Sequence, residues 1–252
     1  MSFRTAVDRS AHIVLSHDDS SEDNSTTSSL DSLFDAPLSP VDHPVHGSHS
    51  CPPISGFIYD PFLALPEDVC NAASKFCMDQ YFSAHGSNQV MLFDRAGSVS
   101  GLPLPLALLL QHVSEILEPT LPHSVHRLLF DATSPPRARQ AILNLYYPGE
   151  GITPHIDLLQ RFGDGIVGVS LTGNCVMDME RGNEKHGVFL PERSIMALTG
   201  EARFDWKHGI GQRVSDFVES TSKENRWVER GIRLSITFRW MLPGADIVGS
   251  QS

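Results

Sequence analysis

Apolar residues along this chain recur with two different periods, and the switch between them lays out its elements. From Leu65-Pro66-Glu67-Asp68 onward, Val69, Ala72, Ala73, Phe76 and Gln80 fall on one side of a helix. Proline and acids occupy its first turn, where both favour a helix start. A second, leucine-rich helix is predicted from Leu104 to Leu117, ending before Pro119. Between the two, Gln89-Val90-Met91-Leu92-Phe93 reads as a strand. Further on the period drops to two. Asn144 and Tyr146 share one strand face, and His155 and Asp157 share another. Thr153-Pro154 fits a strand that starts at a sheet edge or rim. An apolar run, Ser194 to Thr199, precedes the turn Gly200-Glu201-Ala202. In the last strand Arg233, Ser235, Thr237 and Arg239 face one way, while Leu234, Ile236 and Phe238 face apolar packing.

Composition divides the chain. About a quarter of the first fifty residues are Ser, and Asp18-Asp19 and Glu22-Asp23 run among them. Such a segment cannot bury enough apolar surface to offset its ordering entropy, so residues 1–53 are expected to be a disordered tail. Residues 54–243 form one domain of ordinary composition, with a catalytic core at about 138–241, and 244–252 form a flexible C-terminus. The tail is too acidic for a transit peptide and lacks the apolar centre of a signal peptide. No apolar run reaches the roughly 18 residues of a membrane span. Cys51, Cys70, Cys77 and Cys175 form no CxxC pair, the usage of a reducing compartment, cytoplasm or nucleus. Cys70 and Cys77 lie two helical turns apart, as burial on one face requires.

Net charge is -11, against indiscriminate nucleic-acid binding. The tail holds two Arg and eight acids, which leaves the domain near -5. Arg181 to Arg239 is locally basic, with eleven Lys/Arg against eight acids. Lys207, Arg213, Lys223, Arg226 and Arg230 are therefore a candidate rim for docking phosphates of tRNA or another nucleic acid. A solvated surface is the alternative.

The chemistry lies in three separated pieces. His155-Ile156-Asp157 offers two ligands from one strand end, and His208, before Gly209, offers a third. Two His and one carboxylate with open positions make the facial triad of non-haem Fe(II) oxygenases. Gly209 would let the backbone bend at the ligand. His186 is a rival to His208 but sits in a polar hairpin tip, and His43, His46 and His49 sit in the Ser/Pro/Asp-rich stretch. Arg233 and Arg239, facing inward, would be costly unpaired, and a dicarboxylate co-substrate would resolve that cost. Asn144 and Tyr146 are neutral donors suited to the same acid.

These residues carry a resemblance to the AlkB-like 2-oxoglutarate/Fe(II)-dependent dioxygenases. It runs through Asn144-Leu145-Tyr146-Tyr147-Pro148-Gly149, the His155-Ile156-Asp157 triplet, Thr199 to Ile210, and the final arginine strand. In style the chain is most similar to the dioxygenase domain of the eukaryotic tRNA wobble-uridine hydroxylases. The resemblance implies an α+β, mainly β fold, a double-stranded β-helix (jelly roll) with flanking N-terminal helices. It implies Fe(2+) on His155, Asp157 and His208, and 2-oxoglutarate on Arg233 and Arg239 with help from Asn144 and Tyr146, with O2 as oxidant. Met91 and Phe93 would approach substrate, with a core-strand role as the alternative. Leu159 stands where the bacterial repair members carry an acid, which argues against direct reversal of DNA alkylation. The implied activity is hydroxylation or oxidative demethylation of a modified nucleotide, most readily in tRNA. Two alternatives are an oxygenase for protein methyl-lysine or a small molecule, and a non-catalytic jelly-roll binding module. At 252 residues, tRNA-binding and methyltransferase functions would come from separate partners.

Overall fold

In a computed structural model, residues 46–83, 87–94, 101–131, 137–219 and 225–245 are described. Their elements run β1 (Gly47–Ser48), β2 (Phe57–Tyr59), α1 (Glu67–Cys77), β3 (Gln89–Asp94), α2 (Leu104–Leu117) and α3 (His123–Phe130). There follow β4 (Arg139–Tyr146), β5 (Ile152–His155), β6 (Phe162–Thr172), β7 (Cys175–Arg181), β8 (Glu184–Leu190) and β9 (Ile195–Leu198). The chain closes with α4 (Gly200–Phe204), β10 (Lys207–Ile210), β11 (Ser215–Val218), β12 (Arg226–Glu229) and β13 (Arg233–Met241). No helix among the described residues is long and apolar enough to cross a membrane.

Two sheets face each other. The major one has the order β2-β9-β6-β13-β4-β3, and the minor one β12-β11-β1-β8-β7-β10-β5. Every pairing is antiparallel except those of β1. This is a double-stranded β-helix with helices on one side. The period of two sorts the residues between two cores. On β13, Leu234, Ile236 and Phe238 point to the helices and pack with Leu106, Leu109 and Val113 of α2. The opposite face of the major sheet looks across to β7 and β8, where Ile166, Met196 and Leu198 meet Met177, Met179 and Leu190. β5, with its Pro154, is the edge strand the sequence predicts, where a missing N–H costs no ladder bond.

The helices hold one correction. α2 has the predicted bounds, but the buried stripe of α1 is Cys70, Ala73, Ser74 and Cys77. Ala72 and Gln80 are exposed, so the face is rotated by about one residue from Val69, Ala72 and Phe76. The small residues win the contact side because α1 packs closely on α2 and β6. A π-turn, Met78–Phe82, carries the helix on.

The folded domain also begins earlier than composition indicates. Gly47–Ser48 inserts as a parallel strand between β8 and β11. Gly47 is buried there, and a Cβ on it would come within 2.3 Å of Val176. His46 and His49 flank this strand, with their rings tilted or edge-on against Phe217 and Phe189 and centroids 4.8 Å and 5.0 Å apart, and His43 lies outside the described residues.

Candidate metal centre and co-substrate cavity

His155 is the last residue of β5, and Asp157 lies just beyond the strand. β5 pairs with β10 so that His155 and His208 are direct register partners. Their ring centroids are 4.5 Å apart. Asp157 Oδ1 is 3.3 Å from His155 Nε2 and 3.9 Å from His208 Nε2. The three ligand atoms lie within 4.8 Å of one another, close enough to share one ion. Thr153 O accepts a 2.8 Å hydrogen bond from His155 Nδ1, which leaves the Nε2 lone pair turned toward Asp157. Gly209, after His208, serves close approach rather than a bend. Its backbone is not in the left-handed region, and a Cβ there would meet Pro154 Cα at 2.8 Å.

Electrostatics keep this donor set ready for a cation. Burial alone would raise the Asp157 carboxyl, but the Arg239 guanidinium, then the imidazoles of His155 and His208, hold it well below the usual carboxylate range. Arg239 Nη1 donates to Asp157 Oδ2 at 2.5 Å, and its Nε donates to Gln140 Oε1 at 2.7 Å. The Phe162 ring lies against the guanidinium, 3.6 Å to the centroid. Burial, then the neighbouring His155, lowers His208 to about 4, so its ring is neutral at pH 7. A neutral imidazole is the form that ligates metal.

Beside the three ligands a cavity of about 240 Å³ runs between the sheets. Asn144, Tyr146, Arg233, Ser235 and Arg239 all reach it, as the strand period predicts. Register explains why: Arg233 sits opposite Tyr146 and Ser235 opposite Asn144. Asn144 Oδ1 accepts from Gln89 Nε2 at 2.8 Å. Arg233, 7% exposed, donates to the Ser170 hydroxyl at 2.8 Å and lies 5.6 Å from the Tyr146 ring centroid. Among the described residues its Nε has no hydrogen-bond partner. A buried guanidinium that meets only a neutral oxygen lacks its counter-ion, and a carboxylate in the cavity would supply it. The residues therefore fit both an iron and a diacid.

Other expected residues part company. Met91 lines the cavity, and Gln140 Nε2 donates to its sulfur at 3.5 Å. Phe93 shares that strand face but lies past the end of the cavity, packed beside Ala138, Phe162 and Met241. Leu159 is 49% exposed and off the cavity wall, whereas its neighbour Leu158 is part of it. His186 stacks on Trp206 at 5.5 Å. The basic rim does not assemble as expected. Arg213 and Arg230 are drawn inward by Asp216 and Asp178, Lys207 and Arg226 are exposed, and Lys223 lies outside the described residues.

Sequence reasoning missed Gln140, Ser170 and Arg203. Gln140 was within reach, because it continues the alternating face of Asn144 two steps upstream. Ser170 is a polar residue between Val169 and Leu171, in the most apolar part of β6. Arg203, 1% exposed, gives no periodic signal at all.

Comparison with known proteins bears on the same stretch. The family model for the 2OG-Fe(II) oxygenase superfamily matches residues 58–239. The macaque (Macaca fascicularis) protein named tRNA (carboxymethyluridine(34)-5-O)-methyltransferase ALKBH8 is 38% identical over 112 residues, 40% of this chain and 17% of that one. An Arabidopsis thaliana protein named alkylated DNA repair protein ALKBH8 homolog is 35% identical over 99 residues, 32% of this chain and 29% of that one. The uncharacterized protein L905 of Acanthamoeba polyphaga mimivirus is 32% identical over 118 residues, 46% of this chain and 54% of that one. The matches thus span about half of the viral relative and less of the other two. The chain belongs to the 2OG-Fe(II) oxygenase superfamily as an AlkB-like member, a dioxygenase whose cofactors are Fe(II), 2-oxoglutarate and O2.

Proposed function

We propose that this dioxygenase hydroxylates or oxidatively demethylates a modified nucleotide in RNA, with tRNA as the first choice. The observation that carries the reading is the 38% identity, over 112 residues, to a relative named for its action on tRNA carboxymethyluridine. Cytoplasm or nucleus, where tRNA is found, is the proposed location.

In this reading His155, Asp157 and His208 hold the iron. Asp157 arrives ionised because Arg239 keeps it so, and His155 arrives as the correct tautomer because Thr153 fixes its proton. Arg233 takes the far carboxylate of 2-oxoglutarate, with Ser170 steadying the guanidinium. Tyr146 and Asn144 of β4 and Arg239 of β13 line the same cavity and would help to hold that acid. The chemistry supplied at such a centre is insertion of one O2 oxygen into a substrate C–H bond, coupled to conversion of 2-oxoglutarate to succinate and CO2. Apolar Met91, Leu158 and Met177 exclude water from the wall around it.

The test is succinate release over a panel of cellular tRNA, alkylated oligonucleotides and methylated peptides, with nucleoside mass spectrometry of the tRNA. The expected result is stimulation by tRNA and a mass gain or methyl loss on one nucleoside, both gone in Asp157→Ala and His208→Ala. Stimulation by methylated peptide alone would overturn the substrate assignment.

A further inference from the structure

We infer that Arg203 is a positioning residue that locks together the two ligand-bearing stretches of the metal centre. The inference rests on the metal reading above and goes beyond it by naming what holds Asp157 in place.

The two histidines need no help, because the β5–β10 ladder makes them register partners. Asp157 has no such support. It follows the end of β5, in backbone that belongs to no strand. The turn it opens uses Leu158 O to accept the N–H groups of Arg161 and Phe162, at 3.2 Å and 3.0 Å. The other carbonyls of this turn must find donors elsewhere. The Leu242 N–H reaches Arg161 O at 2.9 Å, and Arg203 serves three others. Its Nη1 donates to Asp157 O at 3.1 Å, its Nη2 to Phe162 O at 3.1 Å and its Nε to Gly163 O at 3.3 Å. All three bonds go to one short segment, and the first goes to the ligand residue itself.

Arg203 is anchored on the other side by α4, which leads directly into β10 and His208. The helix is pinned in turn. Ala202 N–H donates to Ser55 O at 3.0 Å, and Gly200 N–H to Asp164 Oδ1 at 2.9 Å. One guanidinium thus bridges the residues just before the third ligand and the residues just after the second. The planar fork suits three carbonyls spread around it, which the three donors on a single lysine nitrogen cannot match. The side chain is 1% exposed and its bonds are to carbonyl oxygens, an expensive place for a cation if packing alone were needed.

The test uses the metal-free full chain and Co(II) as probe, followed by calorimetry and by the Co(II) visible absorption spectrum. Arg203→Lys and Arg203→Gln are expected to bind Co(II) at least about 10-fold more weakly, the usual cost of losing an outer partner of a metal ligand. Their Co(II) spectra should differ from wild type, because a freed Asp157 changes the coordination. Asp216→Asn, which weakens a buried ion pair away from the ligands, should lower thermal stability with wild-type affinity and spectrum. Arg203→Lys with the affinity and spectrum of wild type would overturn the inference. If neither Arg203 variant folds, hydrogen exchange on the wild-type chain decides. Co(II) should slow exchange in 157–163 and 200–204 together, and slowing in the first segment alone would overturn the coupling. Equal Co(II) binding by wild type and Asp157→Ala would instead remove the metal reading itself.

Discussion

Two pairs of arginines sit close together in this sequence and end in opposite situations. Arg213, before β11, and Arg230, after β12, flank strands of the minor sheet, and both find carboxylates within the protein. Asp216 accepts from Arg213 Nε at 2.6 Å, from Arg230 Nε at 2.6 Å and from Arg230 Nη2 at 2.7 Å. Its Oδ2 also accepts the Val176 N–H at 3.0 Å. Arg233, three residues further on and as buried as Arg230, meets a serine hydroxyl and among the described residues leaves its Nε without a partner. Arg239 divides itself between a metal ligand and an amide. The charge of the first pair is balanced by the fold, while that of Arg233 calls for an acid from outside. The equal burial of Arg230 and Arg233 thus distinguishes nothing. What separates scaffold from binding site is the supply of counter-charge.

The comparison breaks most sharply at Arg230. Arg230→Met leaves Asp216, fully buried, with half of its donors, and the loss should be about 3–5 kcal/mol of unfolding free energy. Urea titration measures it. The 2-oxoglutarate KM of the fraction that remains folded should not move. At Arg233 the outcome should invert. Arg233→Met removes one partner of the proposed carboxylate pair and should weaken 2-oxoglutarate binding by about 2–5 kcal/mol, read by calorimetry with Mn(II) in place of iron. Its unfolding free energy without ligand should hold or rise, because an uncompensated guanidinium leaves the interior. If Arg233→Met unfolds like Arg230→Met and binds the diacid normally, the distinction between the pairs is void.

A somewhat smaller effect links binding to stability. At 2-oxoglutarate 100 times its dissociation constant, with Mn(II), wild-type protein should gain about 2.7 kcal/mol against urea. Arg230→Met should gain the same from its lower baseline. Arg233→Met at the same concentration should gain almost nothing, and a full gain there would place the diacid elsewhere.

How far the sequence reveals this depends on how local each constraint is. The β13 face was legible because a period of two needs only neighbouring residues, and it correctly brought Asn144, Tyr146, Arg233 and Arg239 to one cavity. The His155-Asp157 pair was legible for the same reason, and His208 through its place after an apolar strand. What escaped depends on partners far along the chain. Asp216 neutralises Arg213 through a turn but Arg230 across β11 and β12, so a count of basic residues saw a rim where the fold builds ion pairs. Arg203 reaches back 46 residues to the Asp157 carbonyl, and no periodicity encodes that reach. Gly47–Ser48 joins the sheet through a two-residue ladder, too short to stand out against its Ser-rich surroundings.

The subtlest expected effect is a pH dependence that belongs to the metal side of the cavity. His208 titrates at about 4 in the folded chain against a reference of 6.5, with burial as the main cause and His155 the next. Between those values the unfolded chain carries a proton at this position and the folded chain does not. Metal-free protein should therefore have this contribution in full above pH 6.5 and lose it as pH falls toward 4. Asp157, held ionised by Arg239, adds no slope of its own within the upper part of that window. Asp94 and Asp178, whose carboxyls burial raises, act in the opposite direction, but they do so equally in wild type and in His208→Asn. The difference between these two proteins isolates the histidine. Urea unfolding of chelator-treated protein at pH 7.5, 6 and 5 should give a steeper acid loss for wild type than for His208→Asn. Parallel curves would mean that the imidazole takes up its proton as readily in the folded chain as in the unfolded one, and burial would then not keep the third ligand free for an ion in mild acid.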